Sequence, residues 1–249
     1  IEADPCVSDD GSLIAFASTR PGGAGGYDLY IYDRLYQTLL SKHGMNSATD
    51  ETGPAFTHDS ARLVFARIVD GRYRVKMYEP AGDTLVALPG LDLAGAWSDW
   101  QPSPNLHGDR IAFTSNRAGR AHVYVWDRGV GVLNLPDLLS DSTDWQPSLS
   151  ADGRWLAFSS NRARGVGGYD VYLYDLVNHA FVRTPRLDSA IDEVHPSVSA
   201  DGATIAFQSH RGGVQPDTLA VWTASDSTRN LPPNLNSSST TTQPRLRWR

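Results

Sequence analysis

A proline recurs along the chain in a shared local context, at Pro5, Pro54, Pro102, Pro147, Pro196 and Pro244. Consecutive members of this series are 49, 48, 45, 49 and 48 residues apart. A phenylalanine follows each of the first five prolines and closes a short apolar segment: Phe16, Phe65, Phe113, Phe158 and Phe207. A period of this length is typical of architectures in which one small unit is copied and stacked. The chain therefore contains five full copies and the beginning of a sixth.

Each copy predicts four short strands. The proline-containing strand is followed by a polar turn such as Ala151-Asp152-Gly153, whose glycine accepts the positive φ of a tight hairpin. An apolar strand comes next, then a loop, then an alternating aromatic strand such as Tyr169 to Asp175, and last a weaker strand such as Thr38 to Leu40. The alternation predicts a half-buried third strand with one face in a core. Four antiparallel strands in each 45 to 49 residues match the blade of a β-propeller.

We therefore predict an all-β fold, a single β-propeller over residues 1–249 with five blades of four antiparallel strands each. The blades are expected at residues 1–45, 46–93, 94–139, 140–187 and 188–235. Residues 236–249 are expected to form a linker and a strand that closes the ring, which would remove exposed sheet edges. The alternative is a six-bladed propeller with an incomplete blade, because Gln243 to Trp248 looks like the opening strand of another copy.

Three consecutive motifs carry a resemblance to a known family. Pro-x-x-Ser-x-Asp-Gly is followed by Ala-Phe-x-Ser-x-Arg and then by Tyr-Asp-x-Tyr-x-Tyr-Asp, all present between Pro147 and Asp175. This order resembles the WD40-like (PD40) repeat of the TolB propeller family and covers essentially the whole chain. The second copy departs from it, with Ala66-Arg67 in place of Ser-x-Arg, and the fifth copy lacks the Tyr-Asp pair. The resemblance implies a periplasmic or secreted bacterial scaffold that binds a protein or peptide, its signal peptide removed.

Composition and motifs exclude several other classes. The net charge is −6 and the basic residues are dispersed, so the chain has no basic stripe typical of nucleic-acid binding. No apolar run approaches the roughly 20 residues that a membrane-spanning helix needs. The single Cys6 excludes an internal disulfide framework. Common catalytic and phosphate-binding motifs are missing, which favours a non-enzymatic protein. We expect a monomer.

Acidic and aromatic residues gather just before the repeat prolines, where the first strand of each blade begins. This strand is expected to run nearest the propeller axis, so these residues should converge at one mouth of the central channel. Converging carboxylates would focus negative potential on a basic peptide, and tryptophans are common interface anchors. The predicted ligand-binding residues are Asp50, Glu51, Asp99, Trp100, Asp144, Trp145, Asp192, Glu193 and His195.

Three other interpretations of these residues remain open. The acids could cap their own turns through local hydrogen bonds, a device that a repeat would copy into every blade. They could hold Ca²⁺, which takes 6–8 oxygen ligands, although we predict neither a metal site nor a cofactor. Finally, the propeller could bind or cleave a glycan through Asp99, Asp144 and Asp192. Against cleavage, acids at equivalent positions lack the different surroundings that separate the pKa values of an acid and a nucleophile.

An arginine also recurs near the end of the second strand, at Arg20, Arg117, Arg162 and Arg211. Because the planar guanidinium suits carboxylates and carbonyl groups, we predict that these residues tie neighbouring blades together.

Overall fold

A computed structural model describes residues 1–42, 44–93, 95–163, 165–184, 187, 189–210, 218–225 and 228–230. It confirms the predicted fold class: five antiparallel four-stranded sheets, the blades of a five-bladed β-propeller. Among these residues the helical structure is limited to one 3-10 turn, Pro136–Leu138. The predicted linker and ring-closing strand, residues 236–249, lies outside the described residues, as does Arg211.

The chain divides into two compact units. The first contains residues 1–119 and 124–133. Its first two sheets comprise β1 (Glu2–Val7), β2 (Leu13–Ser18), β3 (Asp28–Asp33), β4 (Thr38–Leu39), β5 (Glu51–Phe56), β6 (Leu63–Val69), β7 (Arg72–Glu79) and β8 (Thr84–Val86). The third sheet comprises β9 (Asp99–Pro104), β10 (Arg110–Ser115), β11 (His122–Asp127) and β12 (Gly131–Val132). Strand β11 contributes its first two residues to the second unit.

The second unit contains residues 120–123 and the described residues from 134 onward. Its two sheets comprise β13 (Asp144–Leu149), β14 (Trp155–Ser160), β15 (Asp170–Asp175), β16 (Ala180–Val182), β17 (Asp192–Val198), β18 (Thr204–His210), β19 (Thr218–Thr223) and β20 (Thr228–Asn230). Strands pair in chain order within each sheet, as the repeat predicts.

The third strands are more buried than their alternating sequence predicts. In β15, Val171 and Leu173 are buried on one face, but Asp170 and Tyr174 on the other face are buried as well. The remaining residue of that face, Tyr172, stacks on Phe158 of β14 with ring centroids 6.0 Å apart. The face of Val171 and Leu173 packs against the last sheet of the same unit. On the other face, Phe181 of β16 contacts the rings of Tyr172 and Tyr174. The prediction of a single buried face is therefore wrong for β15.

Each first strand contains a bulge at its proline. The residue before the proline has a positive φ in every blade: Asp4 (48°), Gly53 (59°), Gln101 (53°), Gln146 (54°) and His195 (53°). The ladder register shifts across this dipeptide, for example between Trp145 and Ser148. Only Gly53 is a residue that adopts this conformation without steric cost. The other four each store about 1–3 kcal/mol of backbone strain.

Carboxylates at the ends of the third strands hold the turns that follow. Asp175 accepts hydrogen bonds from Arg154 Nη2 at 2.7 Å and from the N–H groups of Val177 and Asn178 at 2.9 and 3.1 Å. The Arg154 side chain, together with these bonds, holds the pKa of Asp175 far below its ordinary value. Asp127 has a lowered pKa for similar reasons: its burial acts in the opposite sense, but Arg110 and Gly129 outweigh it.

These lowered pKa values predict acid sensitivity. A carboxylate with a depressed pKa in the folded state contributes stability above its unfolded-state pKa of about 3.9 and loses it as pH falls further. We expect the urea midpoint to be level from pH 7 to 5 and to fall between pH 4 and 2. Asp175→Asn should lower the midpoint at pH 7 and flatten that fall, while the exposed Asp137→Asn should leave both unchanged. An unchanged pH profile in Asp175→Asn would contradict the assignment.

Candidate binding surface at the first strands

An acidic residue stands three positions before the repeat proline in all five blades: Glu2, Glu51, Asp99, Asp144 and Glu193. The last four are fully buried, with 0% of their surface exposed. A buried carboxylate is costly unless it is paired and hydrogen-bonded. Four predicted ligand-binding residues are therefore placed inside the blades.

An arginine of the same blade is the partner of the first four of these acids, while Glu193 accepts the N–H and hydroxyl groups of Ser189. The shortest nitrogen–oxygen distances are 3.4 Å for Arg20–Glu2, 2.8 Å for Arg67–Glu51, 2.8 Å for Arg117–Asp99 and 3.0 Å for Arg162–Asp144. Where the arginine meets a carboxylate, the predicted tie between neighbouring blades is an ion pair within one blade; through carbonyl oxygens the arginine also reaches the end of the preceding copy. Arg162 donates in this way to the carbonyl oxygens of Asp137 and Leu138 at 3.0 and 2.6 Å. Arg67 fills this role although its copy lacks the Ser-x-Arg motif.

The Asp144 carboxylate contacts both an arginine and a histidine. Its Oδ2 lies 3.0 Å from both Arg162 Nη2 and His122 Nδ1, and its Oδ1 accepts Arg162 Nε at 3.2 Å. The His122 and Arg162 side chains are only 4% and 12% exposed. His122 is the first residue of β11 and belongs, with Asp144 and Arg162, to the second unit.

Residues four positions before the proline hold the preceding blade. Asp50 Oδ1 accepts the N–H of Tyr27 at 3.0 Å, and Asp192 Oδ1 accepts the N–H of Tyr169 at 2.9 Å. Both acids are half-buried. The capping interpretation expected each acid to cap its own turn; in the structure each caps the start of the third strand in the blade before it.

The tryptophans occupy a half-buried position, two residues before the proline. The equivalent residues in the other blades are Ala3, Thr52 and Val194, which are also half-buried. Because successive side chains of a strand point to opposite faces, Trp100 and Trp145 point away from the buried Asp99 and Asp144. Three blades have smaller side chains at this position, so the fold of a blade does not require a tryptophan there.

The residues directly before the proline link consecutive blades. Asp4 Oδ2 accepts the N–H of Gly53 at 3.1 Å in the first unit, and Gln146 Oε1 accepts the N–H of His195 at 2.9 Å in the second. Gln146 Nε2 lies 2.8 Å from His195 Nε2. Because Gln146 Oε1 is the acceptor, its amide nitrogen is the donor, and His195 Nε2 accepts.

Of these linking residues, the predicted site contained only His195. The other linking residues could have been found from Gly53. A glycine directly before the proline indicates a positive φ, and the repeat extends that conformation to the equivalent residue of all five blades.

Burial and neighbouring charges shift the pKa values of two side chains in the first unit, Glu51 and Tyr73. Burial raises the pKa of Glu51, against the lowering effects of Ser47 and Arg67. Burial also raises the pKa of Tyr73, and the nearby charges of Asp50 and Asp4 add to that rise. Asp4 and Asp50 therefore act on the same phenol at the start of β7. In the described part of the chain, no three His, Cys, Asp or Glu side chains are grouped as a metal site requires.

Solved structures share this fold. TolB from Acinetobacter baumannii is similar over 94% of the present chain, with a TM-score of 0.66 and 22% sequence identity. The fold is TolB-like. The chain spans 55% of the length of that TolB. A protein assigned as TolB from Agrobacterium tumefaciens is similar over 93% of the chain and 80% of its own, with a TM-score of 0.65 and 17% identity.

The TolB-like fold also occurs in an enzyme. An oligogalacturonate lyase in complex with manganese matches 91% of the chain and 75% of its own, with a TM-score of 0.55 and 12% identity. No family model and no curated protein matches the sequence. Membership of the PD40 repeat family therefore stays a prediction, while the propeller fold is established. Within the described residues no helix is long and apolar enough to cross a membrane.

Proposed function

We propose that this chain is a non-enzymatic TolB-like scaffold of the bacterial periplasm or extracellular space that binds a protein or peptide through its pre-proline segments. The observation that carries the proposal is the pair of half-buried tryptophans, Trp100 and Trp145, at a position where other blades have small side chains. Tryptophan supplies a large contact area with few rotatable bonds and dominates many interfaces.

The predicted site residues take two roles in this proposal. Glu51, Asp99, Asp144 and Glu193 are buried and stabilise the blades. Trp100 and Trp145 contact apolar side chains of the partner. Asp50 and Asp192 are half-buried acids of the same pre-proline segments, and their charge favours a partner with basic side chains; His195 stands directly before the proline of the last segment.

Substitution of both tryptophans by residues of the equivalent positions tests the proposal. Trp100→Thr with Trp145→Val takes the side chains of Thr52 and Val194, so the blades should fold normally. Pull-down from extract of the source cell should identify a protein held by the parent, and calorimetry should show binding at least about tenfold weaker in the double variant. Tyr36→Thr removes a 76% exposed aromatic residue from the turn after β3 and should bind like the parent. Equal affinity of parent and double variant would refute the proposal.

The half-buried acids Asp50 and Asp192 allow a second, electrostatic test. Asp50→Asn with Asp192→Asn keeps an oxygen to accept the N–H of Tyr27 and Tyr169 but removes two charges. We expect several-fold slower association with the captured partner, and a smaller dependence of the rate on salt than in the parent. Rates equal to the parent at low and high salt would exclude a role for these acids.

A glycan ligand is the second candidate, favoured by the aromatic surfaces of Trp100 and Trp145 and by the shared fold of the lyase. The buried ion pairs of Asp99 and Asp144 support binding rather than cleavage. A glycan array probed with the parent and with the tryptophan double variant separates the two candidates. Retention of a glycan, but of no protein, would favour this alternative.

A further inference from the structure

We propose that a cavity beside strand β7 binds a small ligand that carries a carboxylate or phosphate group and is about the size of a monosaccharide, held by Arg72, Arg74 and Lys76. The cavity is separate from the pre-proline segments, so this proposal is independent of the function proposed above.

The cavity lies between one face of β7 and the segment that leads to the third blade. Its volume is about 290 Å³, and its walls include Arg72, Arg74 and Lys76 together with Asp92 and Gly95. Alternate residues of a strand share one face, so the three cationic side chains line the same wall. Ligand pockets for drug-sized molecules begin at about 300 Å³, and a cavity of this size therefore suits a smaller ligand.

The positive wall is a departure from the repeat. Lys76 pairs with Phe65 in the ladder, where the first and fourth blades pair Phe16 with Tyr30 and Phe158 with Tyr172. Those tyrosines stack on their phenylalanines, with ring centroids 5.9 and 6.0 Å apart. In the second blade a lysine replaces the stacked tyrosine.

A second exchange, next to the lysine on the same face, replaces an acid by a base. Arg74 pairs with Arg67 in the ladder, at the position where Asp28 and Asp170 stand in the first and fourth blades. Together the two exchanges collect positive charge on one strand of a protein whose net charge is −6.

The charge of Arg74 is held by main-chain groups. Its Nη2 donates to the Gly95 carbonyl oxygen at 2.7 Å, and its Nη1 donates to the carbonyl oxygens of Trp97 and Tyr73. The residue is only 7% exposed. Across the described ranges, no carboxylate lies within ion-pair distance of Arg74 or Arg72. Their positive potential is therefore available to a ligand.

Lys76 is paired with Asp92, whose side chain is 39% exposed. Because this pair is open to solvent, an anion that enters the cavity can share Lys76 with Asp92. The exposed Arg72 stands on the same wall and supplies a further mobile donor. One ligand anion would offset the excess of three cations over the acids Asp70 and Asp92.

Calorimetric titration of the full chain tests the proposal with three probes: glucuronate, glucose 6-phosphate and neutral glucose. We expect at least one of the anionic sugars to bind more tightly than glucose by about tenfold or more, because a charged hydrogen bond contributes about 1.5–3 kcal/mol. Added salt should weaken that binding. The stronger anion identifies the group, carboxylate or phosphate.

Two substitutions and one control complete the experiment. Lys76→Tyr introduces the tyrosine that the first and fourth blades have at this position and should fold, while Arg72→Gln changes an exposed side chain. Each should weaken binding of the anionic sugar about tenfold. Arg34→Gln removes one exposed charge from the first blade and should change nothing. Anionic sugars that bind no better than glucose, or two variants that bind like the parent, would overturn the proposal.

Discussion

Asp144→Ala should lower the free energy of unfolding by about 3–5 kcal/mol, which is the usual effect of breaking a buried ion pair from one side. The substitution leaves Arg162 and His122, which are 12% and 4% exposed, without the carboxylate that both contact. Urea denaturation followed by tryptophan fluorescence measures the change.

Two comparisons show whether the ion pair is responsible. Asp141→Asn changes an exposed carboxylate in the preceding loop and should stay within about 0.5 kcal/mol of the parent. Asp144→Leu combined with Arg162→Met removes both charges, so it should be less damaging than Asp144→Ala. If Asp144→Ala is as stable as Asp141→Asn, the pair has no structural importance.

Trp126→Ala should lower the free energy of unfolding by a similar 3–5 kcal/mol or so, as large-to-small substitutions of buried aromatic residues do. Trp126 has 0% of its surface exposed and packs against Leu88, Leu91 and Ile111 in the first unit. Its Nε1 donates to the carbonyl oxygen of Pro89 at 2.8 Å. The substitution therefore creates a cavity and leaves an acceptor without its donor.

Trp126→Phe separates these two contributions. It keeps an aromatic ring in the core but removes the donor to Pro89, so the loss should be smaller, about 1–3 kcal/mol. Val130 lies in the turn that follows β11, and its side chain is 74% exposed. The free energy of unfolding of Val130→Ala should therefore stay within about 0.5 kcal/mol of the parent value. A Trp126→Ala protein that unfolds at the same urea concentration as Val130→Ala would show that this side chain does not stabilise the blade.

The strand order could be predicted almost completely from the repeat. The third strand of the fourth blade was expected at Tyr169 to Asp175, and it occupies Asp170–Asp175. The prediction succeeds because turn residues and apolar periodicity are local signals, copied five times. The burial of both faces of β15 could not be predicted in this way, since it depends on which sheets pack against each other.

The candidate surface was predicted less well, because the burial and the partners of its residues change with their distance from the proline. Asp50 and Glu51 are neighbours in sequence, yet one is half-buried and caps another blade while the other is fully buried against Arg67. A shift of one residue reverses the face of a strand. The bulge before the proline adds a second shift of register. Only the second copy, with Gly53 at that position, indicates the bulge from its sequence.

The pre-proline links bear on how a repeat chain can gain blades by duplication and tolerate substitutions. In each described link the side chain of one blade, Asp4 or Gln146, accepts a main-chain N–H of the next, at Gly53 or His195. Every residue except proline offers that N–H group. The receiving position can therefore vary from glycine to histidine without loss of the link. A duplicated blade could therefore form this hydrogen bond with its neighbour at once, provided that the receiving residue is not proline.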